Sequence, residues 1–396
     1  MYQVVFSKDL YVVRTEDYMK FIHLSDLHLG KRVNEYSMIE DQRYILLKIR
    51  EIVGAEKPDG VIIAGDIYDK SVPSAEAVVL FDEFLSALVA LQTKVFVISG
   101  NHDSSERIAF ASRIMSFSGV YLSPVYDGNT ENIMLTDDDG EVNVYMLPFL
   151  KPITVRQTVV DEEEKEAIKN YNDAVKVAID RMHVDTSKRN ILITHQFVTG
   201  AKTCESEEMS VGGTENVDAS LFDAFDYVAL GHIHRPQSCK RDTIRYCGTP
   251  LKYSFSETKD TKSVTVVELG AKGDINLRQI PLIPMRDMVE IKGTYDELMS
   301  KSFYDGTTLT EDYVHITLTD EQDIPNAMGK LQTVYKYIMK LDYDNKRTRE
   351  NKVVSGANEV RSKSPLELFS EFYELQNNQP MNDDYRCYAK QIMDEI

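Results

Sequence analysis

Five short apolar runs punctuate the chain: Phe21-Ile22-His23-Leu24, Val61-Ile62-Ile63-Ala64, Val95-Phe96-Val97-Ile98, Ile191-Leu192-Ile193 and Tyr227-Val228-Ala229-Leu230. All are too short for helices and rich in β-branched residues, so they predict buried strands. Between them the helical period takes over. Residues 73–91 carry Val78, Phe81, Leu85 and Leu88 on one stripe at spacings of three and four, which predicts an amphipathic helix packed on a sheet. Residues 104–116 predict a second helix, with Ile108 and Ile114 as its apolar positions. Asp137-Asp138-Asp139-Gly140, between Ile133-Met134-Leu135 and Val142-Asn143-Val144-Tyr145, has the Asp-Gly chemistry of a hairpin turn. The acidic run at residues 161–165 suits the opening of a solvated helix.

From Met288 the pattern changes to strand, helix, strand, helix, strand, at residues 289–291, 295–301, 313–318, 324–335 and 337–341, which predicts a small α+β domain. Tyr313-Val314-His315-Ile316-Thr317-Leu318 alternates strictly, so one face meets a core and the other meets solvent or a ligand. Residues 346–363 are charged with little apolar periodicity and read as a linker. Ser364-Pro365-Leu366-Glu367 then opens a helix: serine as N-cap, proline in the first position, glutamate completing a capping box. Leu366, Phe369, Phe372, Tyr373 and Leu375 give it a wide apolar face, and Tyr385, Tyr388 and Ile392 give a second one. Apolar faces beyond a linker are expected to find a partner. The alternative is that they pack back on this chain.

The informative chemistry begins where the five predicted strands end. Asp26-Leu27-His28, Gly65-Asp66-Ile67-Tyr68-Asp69, Gly100-Asn101-His102-Asp103, Thr194-His195-Gln196 and Gly231-His232-Ile233-His234 each start at the close of a run. Carboxylate, amide and imidazole groups are thereby expected at one edge of a sheet, where open α/β sheets place their sites. Two divalent cations about 3.5–4 Å apart need a shared anionic bridge and open positions for water and a phosphate oxygen. A carboxylate can bridge, while neutral imidazole and amide oxygen complete the shells without excess negative charge. Nitrogen and oxygen donors without thiolate favour Mn, Fe or Zn in a mixed site. Any one of these short motifs occurs by chance. Five in this order after five strands predict a metal-dependent phosphoesterase. His23, inside the first strand, reads as a core histidine or one that orients Asp26 or His28; His183, in a polar stretch, reads as exposed.

At these residues the chain resembles the calcineurin-like metallophosphoesterase superfamily, and more narrowly the SbcD family of bacterial nuclease subunits. The narrower likeness rests on Met19-Lys20-Phe21-Ile22-His23-Leu24-Ser25-Asp26-Leu27-His28-Leu29-Gly30-Lys31, and on Gly65-Asp66-Ile67-Tyr68-Asp69 with Pro73-Ser74 after it. It also includes Ser210-Val211-Gly212-Gly213-Thr214-Glu215, Tyr227-Val228-Ala229-Leu230-Gly231-His232-Ile233-His234-Arg235-Pro236-Gln237 and Tyr246-Cys247-Gly248-Thr249-Pro250. The resemblance implies an α/β fold: a metallophosphoesterase β-sandwich flanked by helices (residues 19–284), an α+β DNA-capping domain (285–345), a linker (346–363) and a helical segment (364–396) that docks on an SbcC-type ATPase. Carried over residue by residue, it makes Asp26, His28 and His234 ligands of one metal, and Asn101, His195 and His232 ligands of the other. Asp66 would bridge them, and His102 would face the scissile phosphate as general acid or transition-state stabiliser. Two divalent ions, Mn2+ or Mg2+, a DNA substrate and a homodimer paired through the helices after the second and third motifs are implied as well. The family's phosphatase branch carries an arginine motif after the bridging aspartate; here Asp69 and Lys70 stand in that place, which argues against a protein phosphatase. Within this frame the expected activity is double-strand exonuclease and single-strand endonuclease action in DNA repair and recombination. A structural DNA-tethering subunit and a small-molecule phosphodiesterase are the alternatives; the extra domain and apolar tail favour DNA and a protein partner.

Charge alters the picture of substrate binding. The 396 residues include 45 Lys and Arg against 64 Asp and Glu, a net charge of −19. Such a surface repels a phosphate backbone, so affinity for DNA must come from bound metals, local cations and a partner. Lys31, Arg32, Arg107, Lys202 and Arg235 lie beside the metal motifs and are the candidates for local charge. Cys204, Cys239, Cys247 and Cys387 form no C-x-x-C pair and read as ordinary thiols. With no run of membrane-spanning length and no apolar signal region, a soluble, intracellular protein is expected; the resemblance implies the cytoplasm, at the nucleoid. Residues 1–18 precede the start of the resemblance and read as a dispensable leader, with a short extra strand using Tyr2, Val4 and Phe6 as the alternative.

Overall fold

In the computed structural model the described residues are 18–207, 216–346, 348, 365–377 and 381–394. The expected leader up to residue 17, the Ser210–Glu215 motif, most of the expected linker and the expected Ser364 cap lie outside them.

All five apolar runs are strands, and their residues are almost completely buried because both faces of each strand are covered. They do not share one sheet. Met19–Leu24, Gly60–Ala64 and Lys94–Ile98 are neighbouring parallel strands of a six-stranded sheet, flanked by Val120–Leu122 on one side and the antiparallel pair Ser263–Leu269 and Ile275–Pro281 on the other. Arg189–His195 and Tyr227–Gly231 are parallel neighbours in a second six-stranded sheet, with Arg241–Tyr246 and Gln237–Cys239 on one side and Gly140–Leu147 and Glu131–Asp137 on the other. Each run therefore alternates between two cores. Phe21, Ile62, Phe96, Ile191, Ile193 and Ala229 meet in the layer between the sheets. Ile22, Ile63 and Val97 face an outer core under the helices, as do Leu192, Val228 and Leu230 on the other sheet. The motifs converge because the ends of the two stacked sheets abut, which corrects the expectation of a single sheet edge.

Helices Ile39–Glu56 and Ala75–Ala90 cover the first sheet. The second begins at Ser74, whose side chain accepts the Ala77 N–H. Its buried face comprises Ala77, Leu80, Phe81, Phe84, Leu85 and Leu88; Val78, expected on that stripe, is exposed. The single helix expected over 104–116 is also absent. Ser105–Ile108 and Ser112–Met115 are separate turns, broken where Ala111 takes a left-handed φ of 60°. Ile108 is buried, but Phe110, Ile114 and Phe117 project into solvent, so no continuous apolar face exists to hold a longer helix. The Asp-Gly turn is a hairpin closed by the Asp137–Gly140 pair, with Gly140 at φ 106°. The acidic run opens helix Glu162–Ala167, with Asp161 accepting the Glu164 N–H.

Beyond Pro281 the chain forms a three-stranded parallel sheet of Met288–Gly293, Tyr313–Leu318 and Tyr337–Tyr343, with its own core around Val314, Ile316, Leu318, Leu331 and Tyr335. The intervening helices are shorter than the pattern suggested, at Tyr295–Met299, Lys301–Tyr304 and Ala327–Leu331. This unit is fastened to helix Ile39–Glu56 by Asp41, which accepts from Tyr313 Oη at 2.7 Å and pairs with Arg286 at 2.9 Å. Helices Pro365–Asn377 and Asp383–Asp394 touch through Tyr373 and Tyr385, and leave Phe369, Phe372, Tyr388 and Ile392 exposed. Among the described residues, no helix is long and apolar enough to cross a membrane.

Candidate metal centre

The loops after the first two strands are zipped together by their backbones. Asp26 N donates to the Gly65 carbonyl, His28 N to Asp66 and Leu29 N to Ile67, at 2.9–3.1 Å. Asp26, His28, Asp66 and His232 all hold positive φ, at 53°, 44°, 49° and 101°. Non-glycine residues are costly there, so strain is concentrated where the candidate ligands sit. The glycines preceding the motifs have a steric cause. A Cβ on Gly231 would collide with the Ala64 carbonyl, and one on Gly100 with the Asp66 carboxylate. Asp103 ties the second and third loops together: Oδ2 accepts from Gly100 N at 2.9 Å and Ile67 N at 3.1 Å, while Oδ1 accepts from Tyr68 N at 3.0 Å.

Two clusters of donor atoms result. In the first, Asp26, His28 and His234 bring one ligand atom each within 4.8 Å of the others, with His28 Nε2 and His234 Nε2 only 3.0 Å apart. In the second, Asn101 Oδ1 lies 3.0 Å from His195 Nε2 and 2.9 Å from His232 Nδ1. Asp66 Oδ2 stands between them, 3.7 Å from His28 Nε2 and 3.4 Å from His195 Nε2. His102 is beside the clusters: Nε2 is 3.9 Å from Asp66 Oδ2, and Nδ1 is 3.0 Å from the Asp69 carbonyl. The geometry brings together all eight residues singled out from the motifs.

The electrostatics fit a site for cations. Burial drives His28, His232 and His234 below the ordinary histidine range, His232 to about 3, so they are neutral and able to ligate. Burial lifts Asp26 to about 7, and its Oδ2 has no hydrogen-bond partner. Burial opposes ionisation of Asp66 as well, but the charge and the hydrogen bond of His195 oppose it in turn, and that carboxyl is held well below its usual range. His195 is raised to about 9 by Asp66 against its own burial. A proton on His195 thus marks a place where positive charge is favoured, and a divalent cation would displace it. His195 Nδ1 faces the Ala64 carbonyl at 2.9 Å; a carbonyl only accepts, so Nδ1 carries the hydrogen and Nε2 is the ligating atom.

Around this lies a supporting shell that the motifs did not reveal. Gln42 Nε2 donates to the His28 carbonyl at 2.7 Å and to Tyr253 Oη at 2.9 Å; Tyr253 in turn donates to the Leu27 carbonyl at 2.7 Å. Phe149 and Phe197 flank the His232 ring. Gln42, Tyr253 and Phe149 lie outside the motifs and carry no local signal, while Phe197 directly follows Thr194-His195-Gln196. Asp103 stood inside a motif without an evident role. His23 is fully buried with Nδ1 2.9 Å from Tyr227 Oη, apart from the candidate ligands, and His183 is exposed. Of the local cations, Lys31 pairs with Asp69 at 2.7 Å, Arg235 pairs with Asp260 at 2.9 Å, and Arg107 donates to the Ser71 carbonyl at 2.8 Å. Cys204, Cys239 and Cys247 are free thiols.

Residues 19–236 match the family model of calcineurin-like phosphoesterases, and residues 284–377 match that of the type 5 capsule protein repressor C-terminal domain. The chain is 34% identical over 327 residues to the SbcD subunit of the nuclease SbcCD from Staphylococcus epidermidis, covering 82% of this chain and 85% of that one. It is 36% identical over 321 residues to the protein of the same name from Staphylococcus saprophyticus, covering 80% and 82% respectively. Among solved structures, a dimetal phosphatase from Danio rerio aligns over 67% of this chain and 97% of its own at 10% identity, with a TM-score of 0.41.

Proposed function

The chain belongs to the calcineurin-like phosphoesterase family, on its SbcD nuclease branch, and from that membership we propose how its residues work. It is a metal-dependent nuclease subunit that hydrolyses DNA phosphodiester bonds together with an SbcC-type ATPase. Asp26, His28 and His234 would hold one divalent cation, Asn101, His195 and His232 would hold the other, and Asp66 would be shared between them. The observation that carries this assignment is the Asp66 carboxylate, within 3.7 Å of an imidazole nitrogen in each cluster. When bound, the two cations, Mn2+ in preference to Mg2+, offset the charge of the phosphate and lower the pKa of water for in-line attack.

The protein's own contribution is positioning and proton control. His102 Nδ1 must donate to the Asp69 carbonyl, which leaves Nε2 as the ring atom facing the centre. To assist the leaving oxygen, Nε2 has to carry a proton, so His102 acts as an imidazolium steadied at its far nitrogen by the carbonyl. Asp103 and Gln42 hold the loops that present Asp66, Asn101 and His28. The net charge of −19 leaves DNA affinity to the metals and the ATPase partner. The exposed Phe110, Ile114 and Phe117 support pairing of two subunits, and the apolar faces of the two C-terminal helices support docking on the ATPase. Membership of the SbcD branch favours double-strand exonuclease and single-strand endonuclease action, in the cytoplasm. The test is cleavage of linear duplex and single-stranded DNA with Mn2+ or Mg2+, by the subunit alone and with its ATPase. Metal-dependent cleavage stimulated by ATP is expected; metal-independent cleavage, or none with either ion, would refute the proposal.

A further inference from the structure

His28 faces one nitrogen of His234, and a file of polar groups, half-buried at Ser206 and buried beyond it, faces the other. Ser206 Oγ lies 2.7 Å from His234 Nδ1 and 2.7 Å from Glu257 Oε1. Glu257 Oε2 lies 2.5 Å from Lys262 Nζ, which also donates at 2.8 Å to the His234 carbonyl and to Thr249 Oγ1. Glu257 and Lys262 are 0% and 4% exposed. Glu207 Oε1 accepts the His234 N–H at 2.7 Å, so the backbone of the same residue is fixed as well.

Counting hydrogens gives this file a direction. A carboxylate paired with an ammonium only accepts, so the single hydroxyl hydrogen of Ser206 points to Glu257; otherwise two bare oxygens would face each other at 2.7 Å. The serine oxygen is then an acceptor toward His234, whose Nδ1 must carry the ring hydrogen. The Cys204 thiol, 3.0 Å from the same oxygen, can use its second lone pair or turn toward Glu207 at 3.5 Å, and leaves the direction unchanged. His234 is thereby held in the tautomer whose Nε2 is bare and aimed at His28 and Asp26.

We propose that Ser206, Glu257 and Lys262 are positioning residues that lock His234 in its metal-binding tautomer and orientation. This rests on the reading of His234 as a ligand. The relay is assembled from three separate stretches: the loop after residue 200, the turn Phe255–Glu257 and the residue before strand Ser263–Leu269. Burying Glu257 and Lys262 as a pair leaves each charge with its partner and gives the serine hydrogen one fixed acceptor.

The test is an Mn2+ titration of the full chain, with free ion read by electron paramagnetic resonance, for wild type, Ser206→Ala, Ser206→Thr and His234→Ala. Loss of such an outer partner weakens a metal site by about ten- to a hundredfold, so Ser206→Ala should lose that much at one ion and keep the other within twofold. Ser206→Thr, which keeps the hydroxyl, should restore tight binding; threonine as weak as alanine overturns the hydroxyl's role. Ser206→Ala binding both ions like wild type, while His234→Ala loses one, overturns the relay alone. His234→Ala retaining both ions overturns the ligand reading beneath it.

Discussion

Replacing Asp103 by asparagine removes charge from beneath the centre while keeping shape. The carboxylate now accepts three backbone N–H groups, from Gly100, Ile67 and Tyr68, at 2.9–3.1 Å. An amide oxygen can replace Oδ2 and keep the first two. The NH2 group then meets the Tyr68 N–H donor to donor, leaving a buried donor unsatisfied at a cost of about 1–3 kcal/mol. The two surviving bonds fall from charge-assisted to neutral strength, roughly another 1 kcal/mol each. Burial and the neighbouring Asp66 lift the Asp103 carboxyl to about 6, so removing its charge offsets part of this, and the net loss is about 1–3 kcal/mol, a sizeable share of the stability of an ordinary domain. Because the anchored amides adjoin Asp66 and Asn101, metal affinity should fall together with stability. The assay is urea denaturation monitored by circular dichroism, with metal content measured on the same preparations. A loss below about 1 kcal/mol, with both ions still tightly bound, would refute the reasoning that Asp103 holds the loops.

Other perturbations have equally definite outcomes. His102→Ala should keep both metals and DNA binding yet lose roughly a hundred- to ten-thousand-fold in cleavage rate; loss of an ion in that variant would identify His102 as a ligand. His23 is lowered to about 3 by burial and by the nearby Arg245, so below its ordinary value the unfolded chain takes a proton that the folded chain refuses, and stability falls as pH drops from 6.5 toward 3. Between pH 6.5 and 4.5 that decline should be about 2 kcal/mol smaller in metal-free His23→Gln than in wild type; equal slopes in urea titrations would contradict it. A chain ending at residue 363 should retain basal Mn-dependent cleavage but fail to co-purify with the ATPase, and wild-type co-purification would leave the tail helices as ordinary packing.

The strands and the candidate ligands were legible for one reason. Runs such as Val61-Ile62-Ile63-Ala64 are buried on both faces, so they stand out as unbroken apolar segments, and the polar motif begins where burial ends. What a run cannot say is which sheet it joins. Ile193 and Ile62 look alike in sequence, yet they belong to different sheets facing one shared core. The broken segment after Asn101 was illegible because its apolar residues, Phe110, Ile114 and Phe117, point into solvent, so hydrophobicity there does not mark a packed helix face. Val78 fell off the buried stripe because Ala77 and Leu80, weaker signals by size or spacing, occupy it instead. Gln42, Tyr253, Ser206 and Glu257 support the centre from positions with no motif of their own; only the fold brings them to it.

The central claim is that one carboxylate, Asp66, joins two cations. Equilibrium dialysis against Mn2+, with bound metal counted per chain for wild type and Asp66→Ala, tests it most directly, with circular dichroism confirming that both are folded. Two ions per wild-type chain and the loss of at least one in the folded variant, together with its cleavage of linear duplex DNA, is the expected result. A folded Asp66→Ala that still binds two ions and cleaves at near-normal rate would contradict it.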